Sequence, residues 1–234
     1  MNILGLDTCF PALSVAVATG AGTPYACVRV RTEPMATGHA ERLVPLIEEL
    51  LREAGLPIAE VHRVAVTCGP GSFTGTRIGV AAARALRLAL GVAVVPFSSL
   101  EAIALSAETG PVAEGEELLV AIDAHRGEAY VQRFDDVTRN AIGQPQIVPA
   151  TDFARLGGDR PLCVVGTAAQ AIAAAVTAAG SVARAHAGMI FPDMAAAVVR
   201  AANRVPATRP VEPLYLRPPD AKPQDGKSLA RAEA

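Results

Sequence analysis

The sequence has no tryptophan, and aromatic residues make up only 4% of its 234 positions. A core without large rings must be filled by Ala, Val, Leu and Ile, in keeping with a hydrophobic fraction of 51%. That composition suits helices layered on sheets and speaks against a tyrosine-rich binding surface. A basic excess is missing too: 21 Lys and Arg stand against 23 Asp and Glu, for a formal net charge of −2. A chain that gripped RNA or DNA unaided would carry such an excess, so any grip on nucleic acid is expected from another subunit.

Other absences narrow the class further. The N-terminus, MNILGLDT, has no basic n-region and places an acid at Asp7, so no signal peptide is expected. No apolar run reaches the ~18–20 residues that span a bilayer, so no membrane segment is expected. The four cysteines, Cys9, Cys27, Cys68 and Cys163, are dispersed without a Cys-x-x-Cys pair. That usage points to reduced thiols in a cytoplasmic protein, with Cys68 a packing residue rather than a nucleophile. His39, His62, His125 and His186 form no metal-ligand spacing, and His39 reads as a capping or surface residue. No Ser-His-Asp arrangement can be drawn from these spacings.

What is present is a stretch dense in glycine. Residues 66–90 read VTCGPGSFTGTRIGVAAARALRLAL: a short apolar strand, a glycine loop and an alanine-rich helix. Glycines allow sharp turns and close approach, and a helix N-terminus after such a loop can hold an anion. The two familiar phosphate cradles fail on spacing. No lysine is available for a Walker loop, and Gly69, Gly71 and Gly75 give Gly-x-Gly-x-x-x-Gly rather than the dinucleotide fingerprint. The charges of the helix, Arg77, Arg84 and Arg87, share one narrow stripe. So apolar a helix must bury more than one side, against neighbouring helices or against a partner protein.

Around this stretch the chain alternates regularly. Strands are expected at 3–7, 12–17 and 26–30, the first helix at 40–54, and a fourth strand at 61–67. The glycine-loop helix over 74–90 follows, then a strand at 92–97 and a helix opened by the Ser98-to-Glu101 capping pattern. A polar link at 108–117 leads to LLVAID at 118–123, which echoes ILGLD at 3–7. Strands at 128–134, 146–148 and 162–165, a helix at 167–179 and a last helix at 194–203 complete the pattern. The order predicts an α/β, duplicated actin-like (ASKHA, ribonuclease H-like) fold with mixed sheets and a degenerate second half. The domains expected are 1–107, 108–206, and 207–234 as an extended arm and a tail disordered from Lys222. Asp7 and Asp123 end the opening strand of each half. They could face a shared cleft and handle metal and phosphate, or each could cap its own hairpin, and isolated strand-end aspartates mostly do the latter.

ILGLDT with its hairpin, LVPLIEELL, GPGSFTGTRIG, VPFSSLEAIA, AIDAHRGEAYVQRF and the late EPLYLR together resemble the TsaB (YeaZ) family. The resemblance spans nearly the whole chain and weakens between about 137 and 206. It implies a non-catalytic paralogue of TsaD, supporting threonylcarbamoyl modification of the tRNA adenosine beside the anticodon. TsaD carries a His-x-x-Gly-His-type metal motif after the next strand; the corresponding residues here, FSSLEA at 97–102, contain no histidine. The resemblance therefore implies no catalytic residue, metal or cofactor of the chain's own, with ATP and metal on partner subunits. It makes Asp7, Gly69, Gly71, Ser72, Gly75 and Asp123 the remnant of a phosphate site. It also implies a heterodimer with TsaD through a four-helix bundle, recruitment of the ATPase TsaE, contact with tRNA through the complex, and a homodimer when TsaD is absent. Leu43, Leu46, Leu50, Ile78, Val80 and Ala82 are the expected contacts, some of them shared with this chain's own sheet. An active actin-like ATPase or small-molecule kinase is the alternative, with an M22-type peptidase behind it.

Overall fold

A computed structural model describes residues 1–106, 115–186 and 191–217. The expected tail beyond Lys222 and most of the polar link fall outside these residues. Two five-stranded mixed sheets carry the fold. The first contains β1 (Ile3–Phe10), β2 (Ala12–Thr19), β3 (Cys27–Pro34), β4 (Arg63–Thr67) and β5 (Ala93–Phe97), in the order β3-β2-β1-β4-β5. The second contains β6 (Glu117–Asp123), β7 (Glu128–Phe134), β8 (Ala141–Pro149), β9 (Leu162–Val165) and β10 (Ala183–Ala185), in the order β10-β9-β6-β7-β8. Read from the opposite edge, the second order repeats the first. Each opening strand pairs antiparallel with the next and parallel with the fourth.

The helices show what the duplication has lost. The first half sends α1 (His39–Glu53) between β3 and β4, and α2 (Phe73–Leu90) between β4 and β5. The second half has only a 3-10 segment, Ala150–Leu156, in place of α1, but keeps α4 (Ala169–Ala178) in place of α2. Alternate residues of β1 point to opposite faces of its sheet. Leu4 and Leu6 pack with α1 and α2, and Ile3 belongs to a separate cluster on the other face. In the second sheet, Leu118, Val120 and Ile122 face α3 (Ser99–Ser106), and Leu119 and Ala121 face α4.

Two helices cross between the halves. α3 follows the first sheet but lays Leu100 and Ile103 on the second. α5 (Ala195–Ala201) follows the second sheet but packs Ala197, Val198 and Ala201 against Ile3, Ala16 and Ala65 of the first. Although α5 falls within the expected 108–206 domain, it buries its apolar side in the N-terminal half. Arg63 holds the end of α5 there, donating to the carbonyls of Ala201 and Arg204 at 2.7 and 2.8 Å.

The strand bounds shift where polar residues mislead. β3 runs on to Pro34 because its Arg31 and Glu33 face α1 across the edge. Arg31 pairs with Glu49 and Glu53, and Arg42 with Glu33 and Glu49, at 2.6–2.8 Å. β8 tolerates Pro145 because it is an edge strand. The short β10 was not expected; its ARA triplet has no strand signal of its own.

The seat of α5 yields a test. A Cβ on Gly5 would stand 2.5 Å from Val198 Cγ1, and a valine cannot swing aside as a long side chain can. Gly5→Ala should cost about 1–3 kcal/mol in urea unfolding, as overpacking does. Val198→Ala in the same chain should recover part of that loss, giving a coupling energy above ~0.5 kcal/mol in a double-mutant cycle. Strict additivity would place α5 elsewhere.

Candidate functional site

The glycine loop runs from the end of β4 into α2, and several of its donors bond within the chain. Ser72 N–H donates to the Cys9 carbonyl at 2.7 Å, and Gly75 N–H donates to Ser72 Oγ at 3.1 Å, making Ser72 the N-cap of α2. Thr76 returns both its N–H, at 2.9 Å, and its hydroxyl, at 2.8 Å, to the Ser72 carbonyl. Thr8 Oγ1 donates to the Gly75 carbonyl at 2.6 Å.

The glycines serve this closure. A Cβ at Gly71 would lie 2.4 Å from the Cys9 carbonyl oxygen, one at Gly75 2.0 Å from that of Thr8, and one at Gly79 2.6 Å from Thr8 Oγ1. The first turns of α2 therefore rest directly on the end of β1. A phosphate in this cradle would have to displace the chain's own backbone. Gly69 is different: its φ of +96° needs glycine for the turn itself.

Asp7 was expected to end its strand but lies within β1, which runs on to Phe10, and it is sealed under this contact with 1% of its surface exposed. Its Oδ1 accepts from Thr67 Oγ1 and from Cys9 N–H, whereas Oδ2 is buried without a partner. Loss of solvent pushes its pKa up to about 6, against the pull of the Thr67 and Cys9 hydrogen bonds. The neighbouring thiols of Cys9 and Cys68 are pushed up to about 11 and about 12 by burial, so neither is a ready nucleophile.

Asp123 ends β6, the strand equivalent to β1, but its side chain is 55% exposed. It accepts from His125 N–H at 2.8 Å, a hairpin-capping bond, and shares no hydrogen-bond partner with Asp7. The β6–β7 turn places His125, Arg126 and Gly127 at φ near +60 to +70°: 59, 57 and 73°. Gly166, before α4, repeats the close approach of the first half, with a would-be Cβ 2.3 Å from the Ala121 carbonyl oxygen. The fold therefore puts the two aspartates at equivalent places with opposite accessibility. Among the described residues, no three His, Cys, Asp or Glu side chains are grouped as metal ligands.

The expected interface residues divide. Leu43, Leu46, Leu50 and Val80 are 0–3% exposed within the first core cluster, so the sheet already occupies them. Ile78 and Ala82 are partly buried against the same cluster. The exposed face of α2 instead carries Thr74, Ala81, Ala85 and Leu88, the last 89% exposed. Beside it on α1, Val44 and Pro45 face outward. His39, read as a cap or surface residue, is buried and bonded through Nε2 to the Phe10 carbonyl at 2.9 Å.

The arginine stripe has a role that spacing alone did not reveal. Arg84 donates to the Val211 carbonyl at 2.6 Å, and Arg87 to those of Ala207 and Arg209 at 3.3 Å. Arg77 donates to Tyr215 Oη at 2.9 Å. Together they bind the arm, 207–217, along one side of α2, with Val211 buried and Leu214 N–H donating to the Cys68 carbonyl at 2.6 Å. No helix among the described residues is long and apolar enough to cross a membrane.

Comparison with known proteins now decides the lineage. The model of the family TsaD: tRNA N6-adenosine threonylcarbamoyltransferase matches residues 31–206. The chain belongs to the family of TsaB (YeaZ) and TsaD proteins. An uncharacterised protein of Mycobacterium tuberculosis is 35% identical over 223 residues, covering 95% of this chain and 94% of the relative. The tRNA threonylcarbamoyladenosine biosynthesis protein TsaB of Haemophilus influenzae is 35% identical over 143 residues, covering 61% of this chain and 56% of that protein. The chain is thus matched to little more than half of that TsaB. Among solved structures, a Pseudomonas aeruginosa protein described as similar to peptidase YeaZ superposes with a TM-score of 0.75 at 25% identity, covering 92% of this chain and 99% of that one. The family is one of tRNA threonylcarbamoyladenosine biosynthesis, and its duplicated actin-like fold is the one described above.

Two measurements probe the closed site. Gly75→Ala should destabilise the chain by roughly 2–4 kcal/mol in chemical unfolding, whereas Gly158→Ala, with open space around its Cβ, should stay within ~0.5 kcal/mol. For Asp7, the folded pKa of about 6 lies above the ordinary 3.8. Between these values the folded chain holds a proton that the unfolded chain has released, so its stability falls as pH rises through that window. Relative to Asp7→Asn, the natural chain should gain on the order of 2–3 kcal/mol when pH drops from 7.5 to 4. A stability difference independent of pH would contradict the buried ionisation.

Proposed function

We propose that this chain is a non-catalytic subunit in threonylcarbamoyl modification of the tRNA adenosine adjacent to the anticodon. In this reading it pairs with the catalytic subunit TsaD, and the ATPase TsaE joins the pair. ATP and metal sit on those partners, and tRNA is met through the complex. The observation that carries the reading is the closure of the α2 N-terminus on β1. The Ser72 and Gly75 N–H groups of the loop are bonded to the Cys9 carbonyl and to Ser72 Oγ, and Asp7 is sealed from solvent beside them. α2 keeps a second property, an outward face of small residues around Leu88, and Val44 faces outward on α1. Small side chains let another helix approach closely, and an exposed Leu gives such a contact an apolar anchor.

The test is reconstitution. Modification of a tRNA transcript by TsaD and TsaE should require this chain and should survive Asp7→Asn. Ala85→Glu, on the exposed face of α2, should abolish co-purification with TsaD while shifting the midpoint of unfolding only slightly. ATP turnover by the isolated chain that is lost in Asp7→Ala would instead identify an actin-like ATPase. Normal assembly of Ala85→Glu would move the interface away from α2.

A further inference from the structure

Several arginines of the described residues are neutralised by carboxylates. Arg31, Arg42, Arg133, Arg184, Arg204 and Arg217 are among those in ion pairs. The group around α2 and the arm differs. Arg77, Arg84 and Arg87 bond only to carbonyls and a tyrosine hydroxyl, and Arg209 is exposed on the arm beside them without an ion pair. Carbonyl bonding fixes a guanidinium but leaves its charge uncompensated, and each fork still has N–H groups to offer. Glu212 is the acid that lines the same place.

Arg77, Arg84 and Tyr215 line a cleft of about 710 Å³ between α2 and the arm, and Arg209 lines a second hollow of the arm beside Cys68 and Phe97. At one end of the cleft an aromatic platform stands open. Phe73 and Tyr215, 56% and 46% exposed, have ring centroids 5.5 Å apart, and the Arg77 guanidinium lies 3.7 Å over the Phe73 ring. Exposed rings stacked with arginine, beside a row of fixed cations, suit unpaired bases and the phosphates that join them. A protein partner of ordinary composition has no such need for three excess positive charges.

We infer that the cleft between α2 and the arm is an RNA contact that continues along the arm, in which Arg77 and Arg84 in the cleft and Arg209 farther along the arm meet backbone phosphates and Tyr215 with Phe73 stacks an unpaired base. The inference rests on the reading of the chain as part of a tRNA-modifying assembly, and it names the surface by which this chain itself touches the tRNA. It uses the side of α2 bound by the arm, whereas the pairing face lies around Ala85 and Leu88. The overall charge of −2 makes the contact an addition to a grip held elsewhere.

The measurement is fluorescence anisotropy of a labelled tRNA transcript titrated with the assembled complex over a range of salt. Arg209→Glu touches no internal bond and should weaken binding about 5–20-fold at ~0.1 M salt, lowering the salt slope by about 1. Tyr215→Ala should weaken it about 5-fold or more, and Tyr215→Phe should retain it, since stacking needs the ring and not the hydroxyl. Unchanged affinity and slope for Arg209→Glu and Tyr215→Ala would overturn the inference. So would equal weakening by Arg52→Glu, a charge change on α1 outside the cleft. Co-purification of the wild-type chain with TsaD is read separately, so a failure of the pairing shows there. The same titrations on the full chain alone then decide the cleft.

Discussion

The closest contact in the first half is backbone against backbone: the first turns of α2 on the last residues of β1. Gly71, Gly75 and Gly79 are spaced so that one strand end, Thr8–Cys9, fits against three successive levels of loop and helix. Much else follows from that fit. It sets the distance of α2 from the sheet, so that Val80 and Ala83 reach the core cluster. It closes the lid over Asp7 and holds its carboxyl in a medium where the charge is costly. It engages the Ser72 N–H, a donor at the start of α2, with the Cys9 carbonyl. The same geometry that makes an anion site in an open loop makes a structural joint here, because the anion's place is filled by carbonyl oxygens.

The second half repeats the joint at Gly166 and Ala121 but omits α1, and the two halves repay one another through exchanged helices. α3 covers the second sheet and α5 covers the first, so neither half buries its sheets alone. Phe10, the last residue of β1, packs with Leu100 and with Ile122 and Phe134 of the second sheet. The space between the halves beside Asp7 is thus built of apolar side chains. A polar substrate cleft would need that packing undone, at about 1.5–3 kcal/mol for each large side chain exposed.

Charge tells a parallel story. On the β3–α1 edge, Arg31 and Arg42 thread between Glu33, Glu49 and Glu53, and the network ties an edge strand to a helix. Being part-exposed, it contributes specificity of register more than stability. On α2 the arginines have no such partners and bind an irregular segment through its carbonyls. That segment has no ladder of its own to join, so its backbone groups depend on side chains and on strand-end carbonyls such as Cys68 for satisfaction.

Much of the fold was legible in the residues because its signals are local. Apolar runs such as Ile3–Leu6 and Leu118–Ile122, the periodic leucines of α1, the Ser98 cap and the echo of ILGLD in LLVAID all act within a few residues. The polar continuation of β3 from 31 to 34, the triplet β10 and the burial of His39 escaped, since cross-strand pairing and a single carbonyl partner decided them. At the site, the sequence by itself determined that the glycines must admit something close and that neither common phosphate fingerprint is met. Only the tertiary structure decided what comes close, namely Thr8 and Cys9 from more than sixty residues away. It likewise decided that Leu43, Leu46, Leu50 and Val80 face inward and Leu88 outward, and that three arginines hold the arm. Periodicity defines a helix face, but which side of an apolar helix meets the sheet depends on long-range packing that no local pattern encodes.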